Sequence, residues 1–415
     1  MPLDQEYESF FALILSEELD SVDNAREILH RQEVHKSSAN QQRNHVEVDF
    51  KDVLPIVIKT GEPVNKKRKK GGRSQEDYLQ KGGMLAFYDL NDFRSHFGMT
   101  RSQVEDLLTD LQPHYHYERG SKLPLENVVL ASLWVLASQE SYRVIAERFK
   151  TSKSVICTSL HHFCTLVSAN LEHMISWPSG SSIGKTVRGF ENAGFPGTLG
   201  AIDACQISIN KPKDVEEPEA YMNEKNVYCT TLLAVCDHEC RFTYVNVGHP
   251  GTFDDADVFR RSELYEAFQD DPHSLLPLEY RLSDKVYCYH ILADAGFPLS
   301  ETVMTPFDET GYQTGKERLY NSKHFSGFMV ISKAIGLLKG RFRRLRLLLM
   351  QHLAQCSVAI KACCILHNMC LENTDTEPVN IEEEDLPFPP RRPCSDYQIN
   401  LAGEAKRNAI AASFI

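Results

Sequence analysis

Glycine is thin in this chain, 22 of 415 residues, which excludes a fibrous glycine repeat. No apolar run reads as long enough to cross a bilayer, and the start lacks a charged-then-apolar leader, so no membrane association is expected. Cysteine is also sparse for a disulfide scaffold: there are 12, several inside apolar runs such as Val286-Tyr287-Cys288-Tyr289 and Ala362-Cys363-Cys364-Ile365. Small buried thiols of a reducing compartment fit that placement better. Positive charge is in deficit, with 45 Lys and Arg against 57 Asp and Glu and a formal net charge of −12. Bulk attraction to nucleic acid is therefore not expected, although the average hides local basic patches. What is present, 42% hydrophobic and 25% charged residues over 415 positions, is enough for one large or two moderate domains with a substantial core.

The chain divides into four stretches by pattern. Residues 1–85 form a flexible or partly helical segment with an apolar start, Phe10 to Leu15, and a basic run, Lys66, Lys67, Arg68, Lys69 and Lys70. Such a run is either a solvated linker or a nuclear-entry and phosphate-binding tract. Residues 86–185 are helical: Phe93, Phe97, Val104, Leu107, Leu108 and Leu111 recur at helical intervals, and Leu125 to Gln139 is a second apolar helix. Ser141 to Phe149, a polar break at Lys150 to Ser154, and a helix from Val155 to Leu171 have the dimensions of a helix-turn-helix. Lys153 and Ser154 then sit where a second helix would meet DNA, while a plain helical bundle explains the same periodicity.

Glycines and Pro178 punctuate 176–196, and beyond them β-rich runs begin. Thr198 to Ile209, Thr230 to Cys236, Phe242 to Val247 and Val286 to Leu292 read as strands, with a helix from Ala256 to Phe268. Phe325 to Gln355 reads as one arginine-rich helix followed by another to about Leu371. The fold class expected for 190–372 is α/β, and 373–415 is expected to be an acidic, mobile tail.

Asp203 follows Gly200-Ala201-Ile202, and Asp294 ends Ile291-Leu292-Ala293. A carboxylate in an apolar strand is costly unless paired or bound to metal, so two such residues at strand ends either cap turns or hold a divalent cation. Two-ion phosphoryl chemistry generally takes a third carboxylate. The helix around Phe328 offers none; it offers Lys333, Lys339, Arg341, Arg343, Arg344 and Arg346, a basic surface suited to phosphate backbones or acidic partners. Asp254 and Asp255, after Gly248-His249-Pro250-Gly251, read chiefly as helix-capping acids. Cys363, Cys364, His367 and Cys370 resemble zinc ligands, but one helix rarely supplies a tetrahedral shell, and buried packing is the preferred reading.

In order, Gly200-Ala201-Ile202-Asp203-Ala204-Cys205, Lys211-Pro212, Tyr221-Met222-Asn223, Val235-Cys236-Asp237, Gly248-His249-Pro250-Gly251 with Asp255, Leu292-Ala293-Asp294-Ala295-Gly296-Phe297-Pro298-Leu299, Thr305-Pro306-Phe307, Tyr320-Asn321, Gly336-Leu337-Leu338-Lys339 and Cys363-Cys364-Ile365-Leu366-His367-Asn368 resemble the PIF/Harbinger superfamily of DDE transposases, including host-retained nucleases derived from them. The resemblance covers about 190–372. It implies an RNase H-like core in which two aspartates and a glutamate bind Mg²⁺ or Mn²⁺. Asp203 and Asp294 match the aspartates. Ser332, in Val330-Ile331-Ser332-Lys333, occupies the glutamate's place, and a neutral hydroxyl does not replace a bridging carboxylate.

The function this implies is that of a nuclear protein, with the cytoplasm as a second location, retained to bind rather than to cut. Its partners would be duplex DNA, a Myb/SANT-like nuclear protein or a chromatin complex. The alternatives are an active metal-dependent endonuclease or transposase, in which Glu309 or Glu317 supplies the missing acid, and a chromatin adaptor that contacts only proteins.

Overall fold

The computed structural model describes residues 90–115, 123–282, 284–308, 312–350, 352–372, 379, 381 and 400–414. All lie within the unit Met84–Ile415, so the basic run Lys66 to Lys70 is outside the described residues.

The helical region begins with α1 (Leu90–Phe97) and α2 (Arg101–Leu111). Between them Gly98 turns at φ 71°, where an added Cβ would lie 3.0 Å from the Arg341 carbonyl. A capping box of Thr100 and Gln103 starts α2, whose buried stripe is Val104, Leu107 and Leu111. Apolar on all sides, α3 (Leu125–Ala137) is buried from Val128 to Ala137 and forms the centre of this region. Ser141 caps α4 (Tyr142–Arg148) and Ser152 caps α5 (Lys153–Asn170). Lys150, at φ 49°, takes the left-handed conformation that closes a helix, and the Thr151 N–H reaches back to Ala146 O. The short turn of a helix-turn-helix is thereby built.

After α6 (Ser181–Asn192) the chain enters β1 (Thr198–Ile209), the centre of a six-stranded mixed sheet. β2 (Cys229–Cys236) pairs antiparallel with β1, and β3 (Phe242–Pro250) antiparallel with β2. Helices α7 (Asp255–Arg260), α8 (Glu263–Asp270) and α9 (Pro272–Leu275) follow. The run expected as one helix over 256–268 is broken because the Ser262 hydroxyl accepts from Tyr265 N and starts a second helix. The single strand expected over 286–292 is also two. β5 (Lys285–Tyr287) pairs with β4 (Tyr280–Leu282) in a separate hairpin, while β6 (His290–Leu292) joins β1 in parallel. β7 (Val303–Met304) extends the sheet beyond β6.

The long helix α10 (Gly315–Arg341) opens on a Thr314/Glu317 capping box, ten residues before the start expected from the sequence, and ends well before Gln355. A 3₁₀ turn over 343–346 leads into β8 (Leu347–Leu348), which pairs in parallel with the far end of β1. Leu345 and Leu348 are fully buried, so the chain gains more by turning into the sheet edge than by continuing an exposed helix. α11 (Leu353–Glu372) then packs on the other helices and β3. This helix is long and apolar enough to span a bilayer, contrary to the expectation that no such run exists, but it is mostly buried inside the fold.

Of the tail, residues 373–378, 380, 382–399 and 415 lie outside the described set. α12 (Leu401–Ser413) docks with Gly403 against the Ser300 main chain and Ile410 buried. Lys406 is fully buried, its ammonium donating to Cys288 O and Glu301 O. The whole is an α/β architecture, a helical region followed by a mixed sheet with helices on both faces, of the RNase H-like DDE type.

Candidate functional site

Strand alternation sets the site. Ile202, Ala204, Ile291 and Ala293 pack with Val258, Phe259, Leu264 and Phe268 in one core cluster, so one face of the sheet lies against α7 and α8. The intervening strand residues, Ala201, Asp203 and Leu292, point to the opposite face. That is the α10 side, since a Cβ at Gly327 of α10 would lie 2.7 Å from Leu292 Cδ1. Ala201 and Leu292 are register partners in the parallel β1–β6 pair. Asp203 lies two residues further along β1, and Asp294 two residues further along its chain, just past the end of β6.

Both are buried, each 7% exposed. Asp203 Oδ1 accepts from Ala204 N at 2.7 Å, and Asp294 Oδ1 accepts from Gly296 N at 2.9 Å. Another acid lies near Asp294. At the start of α7, Asp254 is the cap, accepting from Asp257 N, while Asp255 turns inward and is 3% exposed. The point where a Gly296 Cβ would stand is 3.0 Å from Asp255 Oδ2 and 3.1 Å from Asp294 Oδ1. Glycine at 296 is what lets the two carboxylates approach. A signal existed in the sequence: Asp255 precedes Val258 and Phe259 by three and four residues, which puts it on the helix's apolar face.

Ser332 is buried on α10, at 3% exposure. Of the two suggested replacements for its missing carboxylate, Glu317 is placed away from it. Glu317 caps the exposed N-terminus of α10, and its carboxylate is held below the usual range by the Thr314 N–H. Fifteen residues separate it from Ser332, roughly 22 Å along the helix. Glu309 lies outside the described residues. Among the described residues no group of three or more His, Cys, Asp and Glu side chains is placed to hold a metal ion. Ser332 carries a neutral hydroxyl where a two-ion DDE centre would use a carboxylate, so the described residues do not make up that donor set.

The basic surface expected from Lys333 to Arg346 is corrected by the structure. Lys339, Arg341 and Arg344 are buried at 7%, 5% and 2% exposure. The guanidinium groups of Arg341, Arg343 and Arg344 tie the helical region to the end of α10. Arg341 donates to Gly98 O, Arg343 to Ala137 O, and Arg344 to both Val135 O and Glu140 O. Arg344 also lies 5.6 Å from the Tyr142 ring centroid. Lys333 and Arg346 are half-buried. Sequence reasoning counted charges but had no way to see that helical carbonyls left without partners would claim them. Lys153 and Ser154 stay exposed at the first turn of α5.

The cysteine-histidine cluster is core. Cys363, Cys364 and Cys370 are fully buried, burial pushing the first two thiols up. His367 Nε2 donates to Cys240 O at 3.0 Å, and burial presses its pKa down to about 3. Next to it Asn368 exchanges bonds with Phe242 N and O and donates to Met174 O, stapling α11 to the first residue of β3.

Fold and site together give an α/β core of the RNase H-like DDE type with buried aspartates at 203 and 294 and a buried serine at 332. Residues 202–368, which begin one position before Asp203 and include Asp294 and Ser332, match the DDE superfamily endonuclease family model. The chain is 28% identical to the protein ALP1-like of Arabidopsis thaliana over 288 residues, 68% of this chain and 69% of that protein. It is 31% identical over 184 residues to the human protein named "Putative nuclease HARBI1", and 30% identical to its mouse counterpart. These two alignments cover 44% of this chain and 48% of each relative, so the chain matches about half the length of the mammalian proteins. No solved structure matches it. The homology is to DDE-transposase-derived nucleases of the PIF/Harbinger superfamily, at the level of the family.

Proposed function

We propose that this chain is a Harbinger-type transposase derivative that acts in the nucleus by binding DNA and chromatin proteins, without cutting strands. One observation carries the reading. Asp203 and Asp294 are both buried, and the α10 position that the resemblance matches to the family glutamate holds a buried, uncharged serine, Ser332. Losing one bridging carboxylate removes charge stabilisation that positioning does not replace. A Myb/SANT-like partner and nuclear entry through Lys66 to Lys70 belong to the same proposal. Purified chain incubated with labelled duplex DNA and Mn²⁺ is expected to leave it intact, as its Asp203→Ala variant does. Cleavage by the parent and not by the variant would sink the binding-only reading.

The burial of Arg341 and Arg344 favours a second reading, an adaptor that touches only proteins, because it removes the largest basic patch from the DNA-facing inventory. A gel shift at stated salt separates the two. The DNA-binding reading expects a shift that weakens when Lys153, exposed at the start of α5, is changed to glutamate.

A further inference from the structure

A second concavity lies at the other end of β1. Asn210 on its wall is seven residues beyond Asp203, roughly 23 Å along an extended strand, so this cleft is separate from the carboxylates. Its volume is about 740 Å³, between α4 and α5 on one side and the residues leading from β8 into α11 on the other.

The lining is chemically divided. Arg143 and Lys153 are exposed at its mouth, and neither is ion-paired among the described residues. The first turn of α5, capped by Ser152, adds the partial positive charge of a helix N-terminus. Among the described residues no carboxylate lines the cleft. The nearby Asp214 is committed to the Leu353 N–H, 2.9 Å away, and to His352 at 3.9 Å. In a chain of net charge −12 such an acid-free basic mouth is a local exception. Deeper, the wall is apolar, with Leu160 and Met350, and the amides of Asn210 and Gln355 complete it.

A phosphate alone would use the cations and leave the apolar wall and the amides idle. A phosphate joined to a flat ring with hydrogen-bonding edges uses all three. The volume suits such a group and exceeds what a bare anion needs. A base inside a duplex is stacked and paired and cannot enter a pocket, so the occupant must be out of the helix.

Resting on the nucleic-acid reading above, we propose that this cleft takes one unpaired nucleotide of a DNA strand. Its phosphate sits on Arg143 and Lys153, its base lies along Leu160 and Met350, and Asn210 and Gln355 meet the base edge.

Cys157 lines the same cleft and is the one exposed cysteine among the described residues, which makes it a reporter. The test uses the full chain with two fluorescent duplexes at one salt concentration, one fully paired and one carrying a single bulged nucleotide. Anisotropy gives affinities, and peptide mass spectrometry after brief maleimide treatment gives the labelling rate of Cys157. The expected result is about tenfold tighter binding of the bulged duplex, the scale of one base contact. That duplex alone should protect Cys157. Both effects should vanish in Arg143→Glu/Lys153→Glu, whose changed residues are exposed and whose fold circular dichroism can verify. Equal binding of the two duplexes, with Cys157 labelled at one rate throughout, overturns the nucleotide site and leaves DNA binding standing. Failure of both duplexes to bind overturns the site and the DNA-binding reading together.

Discussion

Arg344→Ala is expected to lower the unfolding free energy by about 4 kcal/mol, the largest loss from any single arginine of the 341–346 stretch. The guanidinium is 2% exposed and donates to Val135 O and Glu140 O, the first in the last turns of α3 and the second just before α4. Val135 O lies in the last turn of α3, where no main-chain N–H follows to satisfy it, so truncation leaves a buried acceptor bare as well as a cavity. Desolvation on burial lowers the pKa of Arg344, yet the guanidinium stays charged at neutral pH. Urea denaturation checks the size. Arg143→Ala, at an exposed position with no ion pair, is the control and should cost under about 0.5 kcal/mol. A loss below about 1 kcal/mol for Arg344→Ala, coupled with weaker DNA binding, would return Arg344 to a nucleic-acid face.

That arginine shows what can be read from a linear sequence and what cannot. Period-two alternation located β1 to the residue and the β2–β3 hairpin to within a few positions, because a sheet buried on both faces leaves long apolar runs that few other structures need. The aspartate pair was legible for the same reason: a charge inside such a run has no cheap explanation. The basic surface was misread because a count of arginines carries no information about which carbonyls a neighbouring helix leaves unbonded. Asp255 was misjudged on a finer scale. Its role depends on the absence of a side chain at Gly296, forty-one residues away, and pattern reading weighs what a residue is rather than the room another one leaves. The start of α10 was missed although Thr314 and Glu317 form a capping box, because the first turns after it are polar and show no apolar stripe.

The docked C-terminal helix gives the second large effect, and it depends on pH. Lys406 of α12 is fully buried and bonds to Cys288 O at 2.7 Å, Glu301 O at 2.6 Å and Tyr289 O at 3.5 Å, with no carboxylate in contact. Burial outweighs the attraction of Cys288 and Glu301 and brings its pKa from 10.5 down to about 8. A lysine whose folded pKa is lowered binds fewer protons when folded than when unfolded. The cost of burying its charge is therefore present in full below about pH 8 and is relieved as pH rises towards 10.5. Lys406→Met removes both the donor and the titration. At pH 7 the variant is expected to be less stable by about 2 kcal/mol, since three buried carbonyls lose their partner. Between pH 8 and 10.5 the parent's advantage should widen by up to about 3 kcal/mol, while all other titrating groups cancel in the difference. Urea melts of both proteins across that range measure the gap, and hydrogen exchange locates the loss to residues 401–413. A difference that stays flat with pH would mean that the ammonium reaches water and that α12 is not held down by a desolvated charge.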